Sequence, residues 1–397
     1  MSAARSVRNK VAVVGVGYSD IERRSQRTAA ALTRDALHAA LTDAGITAAD
    51  VDGLATYPES PVFGNPRQDG IDMVSCGLAA RILGIGNRLR WFSDAEPLIP
   101  VAFVEAVNAV AAGACDYAVV YRAMHNPDQG GGYNAFTHEF ASGKRQWMAP
   151  FGVHRGYQFY GQSYRRYMDL YGARPEHMAT LIVNNRVNAA KNDKAYFRGQ
   201  LVTREDYVNS RLLTDAVRLL DCDLPVDGAA ALVLTSAERA RDHARRAYVA
   251  GYGMYPWEPR TLGPAFDELW ACGKALSDAA WASSGLKPAD VGSLQLYDGY
   301  SYFVYWWLEA LGFCAKGEAW QFIQDGRIAL DGEAPVNTFG GQLAEGRMHG
   351  IGHFAEGARQ AMGTAGARQI KNGKAALVGC GPLGLGSGVF LFTPEPV

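Results

Sequence analysis

The stretch AGITAADVDGL (residues 44–54) returns later in the chain as SGLKPADVGSL (residues 284–294). Gly45 and Gly285, Asp50 and Asp290, Val51 and Val291, and Leu54 and Leu294 are each separated by 240 positions. Each copy follows a helical, alanine-rich stretch (29–44 and 273–284) and precedes a short β-rich run (53–57 and 293–297). Upstream, VAVVGVGY at 11–18 resembles AYVAGYGM at 247–254. Downstream, a helix, a glycine turn and YAVVY parallel a helix, Gly373 and AALVG. Strands separated by helices imply parallel βαβ units. Two copies imply two similar α/β halves about a pseudo-twofold axis, residues 1–240 and 241–397. Gly45 and Gly285 are expected to take the left-handed conformation that ends a helix. Asp50 and Asp290 are expected to cap the short turn that follows.

The remaining composition excludes several classes. The 397 residues carry a net charge of −1 and are 48% hydrophobic, which suits a compact soluble protein. No basic block points to nucleic acid, and no apolar run is long enough for a membrane span. The start, MSAARSVRNK, has no apolar core and does not read as a secretory signal, so a cytoplasmic protein is expected. Cys76, Cys115, Cys222, Cys272, Cys314 and Cys380 form no CxxC or metal-ligand spacing. They read as buried thiols, with a reactive thiol as the alternative.

The duplicated halves, the tract DGAAALVL (227–234) and the tract NTFGG (337–341) resemble the thiolase superfamily. The segment 183–234, with NNRVNAAKND, AYFRGQLVTREDYVNSR and RLLDCDLPVDGAAALVL, is similar to its sterol-carrier-protein branch, and within that to the thiolase-like aldolases that shorten steroid side chains. The resemblance implies an α/β protein of five αβαβα layers, with two mixed, mostly parallel sheets and buried helices between them. It also implies a homodimer core, an acyl-CoA substrate with coenzyme A as part of it, and no tightly bound cofactor or metal. A small OB-fold, zinc-ribbon partner giving a heterotetramer is implied as well. This chain has no paired CxxC that would supply such a domain itself.

A thiolase needs a cysteine nucleophile, a histidine base from a GHP motif, and donors for the thioester oxygen. No cysteine lies between Cys76 and Cys115, where the nucleophile belongs; Ser93 is the conceivable substitute. Asp94 and Glu96 are conceivable bases, but capping of the helix that opens at Pro97 is the plainer reading. Arg347 stands at the GHP histidine, where the similar aldolases often carry tyrosine; arginine is a poor base and a good anion holder. Tyr297 stands where the branch carries HDCF, at the end of the repeated strand. His349 joins Arg347 on the same loop, and Gly340 and Gly341 offer backbone donors. His353 is spaced for a metal pair with His349, but no third ligand is apparent. Cys380, in a glycine-rich loop near the second thiolase cysteine, is either a site residue or packing.

Without the cysteine, the natural reaction is retro-aldol cleavage of a β-hydroxyacyl-CoA, in particular a steroid or bile-acid side-chain ester. Its products are an aldehyde or ketone and a short acyl-CoA. Tyr297 is the expected acid–base. Its phenolate would cost about 4 kcal/mol at neutral pH from an ordinary pKa of about 10, unless a cation such as Arg347 favours it. An acyltransferase with an atypical nucleophile and a non-catalytic lipid- or CoA-binding subunit are the competing functions. The aromatic-rich stretch at about 123–175 suits a bulky apolar substrate or a dimer interface equally.

Overall fold

The two copies of the turn are built alike. Helix Ala29–Ala44 ends on Gly45 at φ 70°, and helix Phe266–Ser284 ends on Gly285 at φ 71°. An Asp50 carboxylate oxygen accepts the Thr47 N–H at 2.8 Å, and one of Asp290 accepts the Lys287 N–H at 3.0 Å. Both expected caps are present.

The structure is a computed structural model that describes residues 7–58, 68–125, 146–254, 265–384 and 386–397. The first half runs β1 (Val11–Tyr18), α1 (Ala29–Ala44), β2 (Gly53–Thr56), α2 (Cys76–Leu83), β3 (Trp91–Asp94), α3 (Ile99–Ala111) and β4 (Tyr117–Met124). It continues with α4 (Gly156–Tyr171), α5 (Pro175–Ala189), α6 (Arg204–Val208) and β5 (Gly228–Ser236). The second half runs β6 (Ala247–Met254), α7 (Phe266–Ser284), β7 (Val291–Leu296), α8 (Phe303–Ala310) and α9 (Ala319–Phe322). It ends with α10 (Gly341–Ala344), α11 (Ile351–Met362), β8 (Ala375–Cys380) and β9 (Gly388–Thr393).

The strands join in the order β3-β2-β4-β5-β1-β6-β9-β8-β7. Read outward from the centre, β1-β5-β4-β2 is mirrored by β6-β9-β8-β7. The equivalents β1 and β6 pair antiparallel with Ala12 facing Tyr248, which places the pseudo-twofold axis between them. The same irregularity recurs in both, between Val13 and Gly15 and between Val249 and Gly251. The expected two sheets are thus hydrogen-bonded into one, and its character is mixed rather than mostly parallel. β2 pairs parallel with β3 and β4, and β7 with β8, whereas the pairings made by β1, β5, β6 and β9 are antiparallel. The reason is that β5 and β9 each insert between strands that run the other way.

α1 and α2 cover the outer face of the first half-sheet, and α7 and α8 that of the second. α3 and α11 lie between the halves. Phe103 of α3 meets Phe354 of α11 at 4.5 Å between ring centroids and stands edge-on to Phe390 and Phe392 of β9. This gives five αβαβα layers. A strand covered on both faces reads as an almost unbroken apolar run, as β1 does. No helix among the described residues is long and apolar enough to cross a membrane.

The repeated GxG is a packing device, not an anion loop. A Cβ on Gly17 would lie 2.1 Å from the backbone N of Ala40, and one on Gly253 would lie 2.0 Å from the backbone O of Leu276. Helix and strand backbones therefore touch at equivalent points in the two halves. Gly17→Ala should cost about 1–3 kcal/mol or more by overpacking. Gly86→Ala, where nothing lies within 4 Å, should be close to neutral. Urea denaturation of the two variants provides the comparison.

The aromatic-rich stretch divides. Residues 126–145, with His138, Phe136, Phe140 and the GGG run, lie outside the described residues. Tyr164 and Tyr167 of α4 turn inward; Tyr164 stacks on Tyr302 at 4.7 Å, and Trp306 and Trp307 of α8 are buried. Trp147 and Phe151 are exposed.

Candidate active site

The site is assembled where the C-terminal ends of β2, β4 and β7 meet the loop between α10 and α11. Functional groups gather at such strand ends in α/β folds because loops there are free to carry them. Tyr297 follows β7, and its N–H donates to Gly379 O at 2.8 Å. Tyr57, its equivalent 240 positions earlier, follows β2. Arg122 lies on β4, and Arg347 and His349 lie on the loop.

His349 is held between two guanidinium groups. Arg347 approaches its Nε2 at 2.9 Å, and Arg122 approaches its Nδ1 at 3.1 Å. Tyr57 stacks on the imidazole at 6.0 Å, with Arg122 above the Tyr57 ring at 4.6 Å and donating to the Tyr57 carbonyl. Burial, then Arg347, then Arg122 hold the His349 pKa well below its ordinary value, so the ring is neutral. A neutral imidazole has one lone pair and one N–H. Only one arginine can find an acceptor on it; the other faces a donor. Two cations around an uncharged, half-frustrated histidine form a place for an oxygen anion.

Arg347 is anchored from the opposite side. Its N–H donates to Leu224 O at 2.8 Å, and its guanidinium pairs with Asp223 at 3.3 Å. Asp223 is buried. Burial raises its pKa most, Arg347 lowers it, Asp298 raises it, and the balance is pushed up to about 7.

Tyr297 is buried, and desolvation raises its pKa more than Arg347 and Gln342 lower it. Arg347 lowers the phenol pKa as expected, but burial raises it more, so the phenol is held towards its protonated form. Gln342, beside the phenol, accepts the Gly350 N–H at 3.0 Å.

Gly340 and Gly341 serve the fold here. The Gly340 N–H donates to Asn337 O at 2.8 Å. A Cβ on Gly341, at φ 63°, would lie 1.9 Å from an Asp298 carboxylate oxygen. Asp298 caps α10 by accepting the Gln342 N–H at 2.8 Å. The His349–His353 spacing does not make a pair on one helix face. His349 precedes α11 with φ 50°, whereas His353 is inside the helix and contacts Leu296 O at 3.0 Å and Asp298 at 3.2 Å. No cluster of potential metal ligands occurs among the described residues.

The candidate nucleophiles are accounted for. Ser93 lies on β3 and donates to Glu105. Asp94 accepts the Cys76 N–H at 2.9 Å at the start of α2, and the helix expected to open at Pro97 instead begins at Ile99 after Leu98. Glu96 is exposed. Cys380 lies close to the site, against Gly350, but burial pushes its thiol pKa up. Burial and Asp94 do the same to Cys76. Neither is an activated thiolate.

Tyr57, Arg122, Asp223 and Gln342 were not among the expected site residues. Signals for three of them existed. Tyr57 is the repeat partner of Tyr297, Arg122 is a lone charge in the apolar strand YAVVYRAM, and Asp223 belongs to the acidic run DCDLPVDG. Gln342 carries no such mark.

Comparison with known proteins agrees with this architecture. The family model for a thiolase C-terminal domain-like unit matches residues 269–389. The chain is 37% identical to the 17-hydroxy-3-oxo-4-pregnene-20-carboxyl-CoA lyase of Mycobacterium tuberculosis, over 90% of this chain and 92% of that protein. It is 36% identical to the steroid side-chain-cleaving aldolase of Thermomonospora curvata, over 89% and 90%. The solved Ltp2-ChsH2(DUF35) aldolase superposes with a TM-score of 0.83 at 32% identity, covering 98% of each chain.

Proposed function

The chain belongs to the thiolase superfamily, in the branch of the steroid side-chain-cleaving aldolases, and on that premise we propose that it is a carbon–carbon lyase acting on a steroid side-chain β-hydroxyacyl-CoA. The reaction is a retro-aldol cleavage to a ketone or aldehyde and a short acyl-CoA. The observation that carries this reading is the Arg122–His349–Arg347 cluster beside a protonated Tyr297, with no activated thiol nearby. Such a site holds a transient enolate oxygen and returns a proton to carbon, and needs no covalent acyl-enzyme. A preorganised donor to such an oxygen contributes about 2.7–4 kcal/mol of transition-state stabilisation.

Arg347 and the Arg122-oriented His349 hold the enolate, and Tyr297 protonates the α-carbon. The two thiolase halves are residues 1–240 and 241–397, in a cytoplasmic enzyme without a resident cofactor. The assembly is a homodimer core with a small DUF35-type partner on each subunit. Support for the dimer comes from the sheet edges. β7 is covered by residues 335–337, whereas β3 is the outer strand at the other end and carries Phe92 at 62% exposure. An edge of that kind pairs readily with a second copy.

The test is incubation with 17-hydroxy-3-oxo-4-pregnene-20-carboxyl-CoA, with and without a co-expressed DUF35-type partner. A 17-ketosteroid and an acyl-CoA are expected in equal amounts, with no acyl adduct on the protein by mass spectrometry. A covalent adduct with release of free CoA would replace this reading with an acyltransferase.

A further inference from the structure

We propose that Asp223 is the general base of this lyase, taking the proton of the substrate β-hydroxyl and passing it to Tyr297 to close the cycle. The inference rests on the lyase reading above and adds the group that reading lacks. Arg347 cannot act as a base, His349 presents both ring nitrogens to arginines, and Tyr297 keeps its proton.

Three buried aspartates surround the turn after β7, and their oxygens differ. Asp221 accepts from Tyr207 at 2.8 Å and from Ser301 on one oxygen, and from the Arg218 N–H at 2.7 Å on the other. Asp298 accepts from Gln342 N on one oxygen and from Asn185 at 2.9 Å on the other. Asp223 pairs with Arg347 through Oδ1, while Oδ2 is buried without a hydrogen-bond partner among the described residues. A buried carboxylate oxygen lacking a donor is costly; Glu309 and Glu345 also keep one among the described residues, but of the three it is Asp223 that pairs with Arg347. A substrate hydroxyl supplies the missing donor.

The backbone brings the residue near the acid. The Asp223 N–H donates to Gly299 O at 3.3 Å, and a Cβ on Gly299 would lie 3.0 Å from the Tyr297 phenol oxygen. The charged and titratable groups facing Asp223 are Arg347, which favours its anion, Asp298, which opposes it, the Tyr297 phenol, and Cys222, whose thiol burial pushes up. The balance near neutrality suits a base that is regenerated in each turnover.

The step balances. The Asp223 carboxylate removes the hydroxyl proton, and the O–H electron pair becomes the new C=O. The Cα–Cβ pair moves onto the acyl-CoA fragment as an enolate. The Tyr297 O–H protonates Cα, and the proton on Asp223 then reprotonates Tyr297.

The experiment uses the complete protein, with its partner, and the same steroid thioester. Wild-type kcat/KM should rise with pH through a limb near 7, because only ionised Asp223 is a base. Asp223→Asn should lower kcat by about 10²–10⁴-fold with KM nearly unchanged and should abolish that limb. Asp223→Glu should recover part of the activity together with a limb. Asp223→Asn with wild-type kcat, or with low kcat and the limb intact, would overturn the proposal while leaving the lyase reading standing. If Asp223→Asn does not fold, the wild-type profile decides, since a flat profile between about pH 5 and pH 9 overturns it. Wild-type protein that cleaves nothing overturns both readings.

Discussion

Tyr297→Phe should lower kcat for retro-aldol cleavage by about 10²–10⁴-fold and leave the fold intact, because it removes one proton and one oxygen from a residue that otherwise keeps its packing. The ring lies against Phe303 and His353 at 6.2 and 5.9 Å, contacts that phenylalanine retains. KM should change little, since the proton transfer is made only as the enolate collapses. Steady-state kinetics with the steroid thioester, together with a melting curve, provide the check. A kcat within about twofold of wild type would remove Tyr297 from the mechanism. The phenol also carries a pH signature. Burial holds its pKa above the ordinary value, so activity should show no alkaline loss from Tyr297 below about pH 10.

Arg347→Ala should lower kcat by about 10²–10³-fold, the usual loss for one donor to a developing oxyanion. It should also destabilise the protein, but by less than the roughly 3–5 kcal/mol usual for breaking a buried ion pair, because Asp223 takes up a proton once its partner is gone. The electrostatic consequences have definite signs. Arg347 lowers the Asp223 pKa, so its removal moves the rising limb of the pH profile to higher pH. Arg347 also depresses His349, so the imidazole pKa should rise, which NMR titration of the ring protons can follow. Stability has the opposite dependence on pH from activity. The folded pKa of Asp223, about 7, exceeds its ordinary value, so its contribution to stability is complete below about pH 4 and is lost as pH rises through 7. The enzyme therefore gives up stability over the interval in which it gains its base. Arg347→Lys separates charge from shape, since lysine keeps the cation but not the fork that reaches Asp223 and His349 together.

Much of the architecture was written in local patterns. The recurrence at 240 positions pointed to the glycine helix ends at Gly45 and Gly285 and to the aspartate caps at Asp50 and Asp290, which the structure has. Each depends on residues a few positions apart, so each survives translation into three dimensions unchanged. The sequence also shows no cysteine between Cys76 and Cys115 and places Tyr297 at the end of a repeated strand, and both are local facts. The order of the strands was not. Nothing local says that β5 and β9 insert antiparallel beside β1 and β6, or that the two halves join in one sheet.

The chemistry of the site was decided by tertiary structure. Arg122 and His349 are 227 positions apart, and Arg347 and Asp223 are 124 apart, so no spacing rule could join them. The metal pairing suggested by His349 and His353 assumed a continuous helix, and the left-handed backbone at His349 removes it. Sequence named Tyr297 and Arg347, but it left the protonation of the phenol to whichever effect was larger. Desolvation is set by everything packed around the ring, and here it outweighs the nearby cation. The residue types and the duplication came from the sequence alone. The protonation states on which the proposed roles of acid, anion holder and base depend are set by burial, which exists only once distant segments meet.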